Sequence, residues 1–168
     1  PLSRSRACFV CLAVVPLPPV ATAVPHTVRL YLRTVDVAGR IAGGTPLCYW
    51  PFHGKVPGPF LRVRVGDTVD VRLNNAAESA MVHSVDFHAA TGPGGGAAST
   101  QTNPGEETRV KFKALIPGLY VYHCATPMVA HHNANGMYGR ILVEPGGGLA
   151  TVDREIHVMR GESATEGG

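Results

Sequence analysis

The sequence lacks a cluster of basic residues, and charged residues of either sign are scarce. Its 168 residues include 15 Lys and Arg against 12 Asp and Glu, a formal net charge of +3, and charged residues make up 16% of the chain. A domain that binds nucleic acid presents a clustered basic face. Here the basic residues are scattered along the chain, so the composition argues against a nucleic-acid partner.

Cysteine is also scarce, with four residues in the chain. Small disulfide-rich scaffolds have a far higher share of cysteine. Cys8 and Cys11 lie close together, but no second C-x-x-C motif completes a four-thiolate zinc site. We interpret this pair as two small apolar residues of a hydrophobic N-terminal segment.

Long apolar runs are absent. The apolar stretch at 7–15 is shorter than the roughly 20 residues that a membrane-spanning helix needs, so no membrane span is predicted. Residues 1–24 combine Arg4 and Arg6 with this stretch, as secretory signals do, which favours export; an extended Pro-rich arm is the alternative. The polar residues 162–168 are typical of a tail or the start of a linker.

What the sequence does contain is a series of short apolar, β-branched runs between turn residues. Such runs at intervals of about 8–12 residues or a little more are typical of an all-β sandwich or barrel, and we predict one Greek-key domain at 25–161. Two of the runs flank Gly66-Asp67 with hairpin spacing. The predicted strands are 28–37, 61–65, 68–73, 81–87, 108–112, 119–123, 139–143 and 154–159.

Possible metal ligands concentrate in two of these segments. The chain has eight histidines, and five of them lie at 83–88 and 123–132. A thiolate, two imidazoles and a distant thioether are the ligands of a blue-copper electron-transfer site. Spacing alone does not decide between His131 and His132. The candidate ligands are His83, His88, His123, Cys124, His131, His132 and Met137.

Side-chain alternation along a strand divides these residues between two faces. The neighbours His123 and Cys124 point apart, and an extended 81–88 separates His83 from His88. Two imidazoles beside a carboxylate form half of a second metal site with a candidate proton donor, which a simple electron carrier does not need. One predicted group has His83 and Cys124 on one face, joined by Met137 and by His132, or its rival His131, from the loop that follows. The other predicted group is Asp86, His88 and His123 on the opposite face.

The motifs around these residues resemble the amino-terminal cupredoxin domain of the copper-containing nitrite reductases. The resemblance runs from about residue 17 to residue 161 and implies a cupredoxin β-sandwich. Its most specific motifs are FHGKVPGPF at 52–60, MVHSVDFH at 81–88, ATGPGGGAA at 90–98, ALIPGLYVYHCATP at 114–127 and ANGMYG at 134–139.

The resemblance implies a role for each candidate. The type 1 copper would be bound by His83, Cys124, His132 and Met137, because the family's spacing selects His132 over His131. The type 2 copper would be bound by His88 and His123, with Asp86 binding substrate and relaying protons. The implied reaction of denitrification converts nitrite, one electron and two protons to nitric oxide and water.

Family membership also implies partners. Members have two cupredoxin domains and form periplasmic homotrimers in which another subunit completes the type 2 site. They receive electrons from a small cupredoxin or c-type cytochrome. On this reading the chain ends about where the second domain would begin, and alone it could not build the full type 2 site.

Two alternatives and three departures accompany the resemblance. The alternatives are a stand-alone blue-copper carrier and a laccase-like oxidase domain. The second is disfavoured because Tyr122-His123-Cys124-Ala125 does not contain the H-C-H core of those enzymes. The departures from the family pattern are His53, Asn133 and Arg140; an Arg in a strand must reach solvent or a partner.

Overall fold

The computed structural model describes residues 7–11, 21, 24–40, 44–92 and 94–163. Within these residues no helix is long and apolar enough to cross a membrane. A 3₁₀ turn at Ala97–Ser99 and one short helix, α1 (Val129–Ala134), interrupt the strands. The strands are β1 (Ala7–Cys11), β2 (Thr27–Thr34), β3 (Val37–Arg40), β4 (Pro46–Tyr49), β5 (Phe60–Arg64), β6 (Thr68–Asn75), β7 (Asp86–Phe87), β8 (Glu107–Lys113), β9 (Gly118–His123), β10 (Tyr138–Glu144) and β11 (Met159–Ser163).

Two sheets form the body of the domain. One has the strand order β5-β10-β9-β7 and the other the order β2-β6-β8, while β3 pairs with β4 and β1 with β11. Apolar side chains from both main sheets join in one buried cluster, which includes Val63, Ile141 and Val143 from the first and Val69, Val71 and Leu73 from the second. Neighbouring strands are mostly not consecutive, so the chain repeatedly crosses between sheets. The all-β prediction is confirmed.

The predicted hairpin around Gly66-Asp67 is wrong. β5 pairs with β10 and β6 pairs with β2 and β8, so the turn carries the chain from one sheet to the other. The Gly66 N–H donates to the carbonyl of Ala114 instead of closing a two-strand ladder. The buried Asp67 carboxylate accepts the backbone N–H groups of Arg64 and His26 and holds the crossing.

The predicted strand 81–87 is much shorter in the structure, where β7 contains two residues. On one side β7 pairs with β9. On the other side its partner is a loop: Val85 N–H donates to Thr100 Oγ1 at 3.0 Å, and Phe87 N–H donates to the carbonyl of Gly95 at 2.8 Å. In the part of the chain that the structure describes, β7 lies at the edge of its sheet with no strand on its second side, and therefore it forms no long ladder.

The predicted strand 154–159 is also wrong, since β11 begins at Met159 and pairs antiparallel with β1. Side-chain contacts hold the preceding segment instead. The guanidinium of Arg62 bonds to Glu155, and Arg140 Nη1 donates to the carbonyl of Val158 at 2.5 Å. Arg140 therefore finds a partner within the chain.

The predicted terminal segments are only partly described. Of the segment 1–24, predicted as a signal or an arm, β1 and residues 21 and 24 are described, and the remainder lies outside the described residues. At the other end β11 extends to Ser163, into the predicted tail, and 164–168 lie outside the described residues.

Candidate metal centres

A buried cluster brings together three of the candidate ligands. One donor atom from each of His83, Cys124 and His132 lies within 4.8 Å of the other two. The Nδ1 atoms of His83 and His132 are 3.3 Å apart, and Cys124 Sγ is 3.5 Å from His132 Nδ1. Donors bound tetrahedrally at about 2.0–2.3 Å lie roughly 3.3–3.6 Å from one another. The cluster therefore has the spacing of a site for one ion.

Backbone hydrogen bonds link the elements that carry this cluster. Cys124 follows β9 directly, and its N–H donates to the carbonyl of Met137 at 3.0 Å. The N–H of Met137 donates to the carbonyl of His132 at 3.2 Å. α1 carries His132 where the sequence had predicted a loop, and Met137 is fully buried.

The two imidazoles each present one nitrogen to the sulfur. The Nε2 atoms of His83 and His132 are buried and have no hydrogen-bond partner among the residues that the structure describes. The Nδ1 atoms of both rings are on the side of Cys124, and a cation bound between these two nitrogens and the sulfur would displace the protons that hydrogen-bond them to it.

The thiol of Cys124 is poised to ionise. Burial raises the pKa of this thiol, because the charged form is poorly solvated, but hydrogen bonds from the two histidines of the cluster outweigh burial and lower the pKa to about 5. Thr126 and the Ser84 N–H, 3.4 Å from Sγ, add to the same shift. The thiolate is the form that binds metal.

Trp50 is a neighbour of this cluster that the sequence analysis missed. Its ring centroid lies 5.8 Å from that of His83 and 5.2 Å from that of His132. The exposed ring of His131 also packs against Trp50, at 5.1 Å, and does not join the donor cluster. Trp50 lies far from the histidines in sequence, and the only available signal was that it is the single tryptophan of the chain.

A second cluster contains Asp86, His88 and His123, with one donor atom of each within 4.8 Å of the others. The Nε2 atoms of His88 and His123 lie 3.1 Å apart. Two nitrogens bound to one ion at about 2.0–2.1 Å have a similar separation. His88 is exposed and the other two residues are half-buried, so this cluster opens to the surface.

Hydrogen bonding fixes the orientation of His123. Its Nδ1–H donates to the carbonyl of Cys124 at 2.8 Å, which leaves the lone pair of Nε2 free to bind a metal. Asp86 is the β7 residue that pairs with His123 across the sheet. The two clusters therefore meet at one peptide bond, the one that joins His123 to Cys124.

A protein-family model described as multicopper oxidase matches residues 36–147. The chain belongs to the multicopper oxidase family. Over 143 residues it is 52% identical to the copper-containing nitrite reductase of Neisseria meningitidis serogroup A, a match that covers 85% of this chain. The chain spans only about 37% of that relative's length.

Solved structures of copper proteins from this family are also similar to the chain. A copper nitrite reductase from Nitrosomonas europaea superposes with a TM-score of 0.65 and 39% identity, over 71% of this chain and 42% of that one. A structure described as a multicopper oxidase superposes with a TM-score of 0.68 and 31% identity, over 77% of this chain and 46% of that one. These similarities confirm the resemblance to copper-containing nitrite reductases.

Copper is the cofactor that this family implies, and the residues of the first cluster fit it. A thiolate with imidazoles is a soft donor set that suits copper, and a weakly bound thioether completes the ligand set of electron-transfer copper. Met137 is buried and is bonded through its backbone to both Cys124 and His132. The imidazoles of the second cluster also suit copper.

Proposed function

We propose that this chain supplies the electron-transfer copper site and part of the catalytic copper site of a nitrite reductase. The reaction is NO₂⁻ + e⁻ + 2 H⁺ → NO + H₂O. Copper, when bound, supplies one-electron transfer at the first site and a Lewis-acidic position for nitrite at the second. The type 1 ligands are His83, Cys124, His132 and Met137, the type 2 ligands are His88 and His123, and Asp86 binds substrate and delivers protons.

The observation that carries this proposal is the adjacency of His123 and Cys124. Their donor atoms belong to two clusters on opposite sides of the end of β9. The covalent path between the clusters is therefore as short as a polypeptide allows. The hydrogen bond from His123 Nδ1 to the carbonyl of Cys124 couples the two residues a second time.

Asp86 contributes the acid-base chemistry. Its carboxyl group lies within 4.8 Å of the donor nitrogens of both histidines, which places it beside an anion bound there. A carboxyl group in this position can hold a proton and donate it to a nitrite oxygen. The exposure of His88 leaves an open side through which nitrite enters and a further ligand can approach.

The alternative is a stand-alone blue-copper electron carrier. The first cluster needs no residue from outside the chain, which favours this function. A carrier, however, has no use for a second pair of imidazoles with an adjacent carboxylate. The alternative predicts one copper per chain and no turnover of nitrite.

We further propose the setting in which the chain works. Residues 25–161 form the cupredoxin domain. Residues 1–24 act either as a signal for export to the periplasm or as an extended Pro-rich arm. The open second cluster supports completion by a neighbouring subunit in a homotrimer. A small cupredoxin or c-type cytochrome would supply the electrons.

The test is a chimera in which residues 25–161 replace the matching part of the Neisseria meningitidis enzyme. We expect it to reduce nitrite and to show a thiolate-to-copper absorption band. His88→Ala should abolish the second copper and nitrite reduction but leave the band, and Cys124→Ser should remove the band. A chimera with the band but no nitrite reduction would contradict the proposal, and loss of the band in His88→Ala would contradict the division into two sites.

A further inference from the structure

The backbone of Gly95 makes two hydrogen bonds to residues of β7, on the side opposite β9, one to a backbone group and one to a side chain. Its carbonyl accepts the N–H of Phe87 at 2.8 Å, and its own N–H donates to Asp86 Oδ2 at 2.8 Å. The loop that carries Gly95 is anchored again at Thr100, whose hydroxyl accepts the N–H of Val85. With two attachments to the same segment, this loop holds the Gly95 peptide against Asp86.

Close approach explains why this position is a glycine. A Cβ atom added to Gly95 would lie 2.5 Å from the nitrogen of Phe87 and 2.6 Å from Asp86 Oδ1, and closer still to the carbonyl oxygen of Phe87. Real Cβ atoms essentially never make such contacts, and two of the three atoms belong to backbone that cannot rotate away. Gly95 does not have a positive φ. Lack of space, and not backbone conformation, therefore excludes a side chain here.

The carboxylate of Asp86 depends on this contact for its orientation. Among the described residues, the Gly95 N–H is the hydrogen-bond donor that the structure gives to this carboxylate. With Oδ2 held by the loop, the group is kept within 4.8 Å of the donor nitrogens of His88 and His123. A carboxylate without this bond could adopt other side-chain rotamers and turn to solvent.

We propose that Gly95 is a positioning residue of the second metal site. Its peptide N–H holds the Asp86 carboxylate toward the His88–His123 pair, and the missing side chain makes this approach possible. The inference rests on the proposed function, in which this pair binds copper. It adds Gly95, a residue outside the candidate metal ligands.

The test is a copper titration of the chimera described under the proposed function and of its variants, because the rest of that enzyme can complete the second site. The chimera without these substitutions serves as the wild type. Electron paramagnetic resonance follows Cu²⁺ bound by nitrogen and oxygen at the second site, and the thiolate-to-copper band follows the first. Loss of an outer partner costs about 10- to 100-fold in metal affinity. We expect Gly95→Ala and Asp86→Ala each to lower the affinity for the second copper by this factor and to leave the thiolate-to-copper band unchanged.

Two further variants separate positioning from simple damage. The double variant should be no weaker than Asp86→Ala alone, because Gly95 acts through Asp86. Replacing Gly95 by glycolic acid removes the N–H without adding an atom, and it should weaken the second copper in the same direction. Gly147→Ala is the matched control, since a Cβ there meets nothing within 4 Å, and it should bind both coppers normally.

The outcomes distinguish this inference from the proposed function. Unchanged affinity for the second copper in Gly95→Ala or in the glycolic acid variant would overturn the inference. It would also be overturned if the loss of copper affinity in the double variant were the product of the losses in the two single variants. If Asp86→Ala binds the second copper as tightly as the wild type, the inference is wrong although the His88–His123 site stands. If the wild type shows no second copper that is sensitive to His88→Ala, the proposed function fails at this site.

Discussion

Removal of the Glu144 carboxylate should destabilise the fold severely, because it would leave a buried arginine unpaired. The Glu144 side chain is 0% exposed and lies between Arg62 and Arg64, which are 4% and 10% exposed. Arg62 also bonds to Glu155 at 2.9 Å. Arg64, whose Nη2 is 3.0 Å from Glu144, has no other carboxylate partner among the described residues. In Glu144→Gln, therefore, Arg62 keeps a partner and Arg64 loses its own.

The expected cost follows from this arrangement. Breaking a buried ion pair by removing one partner costs about 3–5 kcal/mol. With an m-value of about 2 kcal/mol per molar, this loss in the free energy of unfolding lowers the urea midpoint of Glu144→Gln by about 1.5–2.5 M. Glu107→Gln is the matched control, because the Arg72–Glu107 pair is exposed on both sides and should be worth at most about 1 kcal/mol.

The pH dependence gives a second check on Glu144. Burial raises the pKa of this carboxyl, but its hydrogen bonds to Arg62 and Arg64 outweigh burial and lower the pKa below the usual value of 4.5. The ionised side chain thus stabilises the fold above pH 4.5, and this contribution is lost as the pH falls through the lowered pKa. The difference in the free energy of unfolding between the wild type and Glu144→Gln should have its full value at pH 7 and should decrease in acid.

Urea unfolding of the copper-free chain, followed by circular dichroism, measures these effects. Glu144→Leu combined with Arg64→Leu removes both charges and should recover most of the lost stability, because apolar replacement of a buried pair is often neutral or stabilising. This double variant also keeps the test informative if Glu144→Gln does not fold. A Glu144→Gln midpoint no lower than that of Glu107→Gln would refute the reasoning.

Two further predictions concern the first cluster. The Cys124 thiol of the copper-free chain should ionise with a midpoint at about pH 5 in an ultraviolet thiolate titration, with Cys124→Ser as the blank; a midpoint near the ordinary 9.0 would contradict the hydrogen-bond argument. Since the thiolate is the ligand, copper affinity at this cluster should fall below about pH 5. Trp50→Leu should shift the thiolate-to-copper band and weaken the first copper about tenfold, because Trp50 packs against both histidines. The second copper should be unaffected, and an unchanged band would contradict a supporting role for this ring.

Local sequence patterns predicted much of the sheet structure. β8, β9 and β10 agree with their predicted strands to within one residue or two, because apolar alternation reports which face of a strand is buried. The same alternation separated His123 from Cys124, and the structure places them in different clusters. Such patterns depend on neighbours in the chain, so the sequence alone reveals them.

Strand pairing was beyond these patterns. The spacing around Gly66-Asp67 is compatible with a hairpin. The turn nevertheless joins two sheets, because the Gly66 N–H bonds to Ala114 and the Asp67 carboxylate bonds to His26, both distant in sequence. Residues 154–158 have strand-like composition, yet Arg62 and Arg140 hold them through side chains. A strand can pair with segments from anywhere in the chain. A short stretch of sequence therefore does not reveal which partner it takes.

By itself the sequence determined the donor atoms, since a cysteine, a methionine and clustered histidines on short strands leave few chemistries other than copper binding. Tertiary structure shows which imidazole meets the sulfur, a choice that residue spacing left open and only the family resemblance favoured: the turn of α1 presents His132 to Cys124 and His131 to Trp50. It also placed Gly95 against Asp86 and Trp50 against His83. These contacts join segments far apart in sequence, and they exist only after burial of the common core brings the two sheets together.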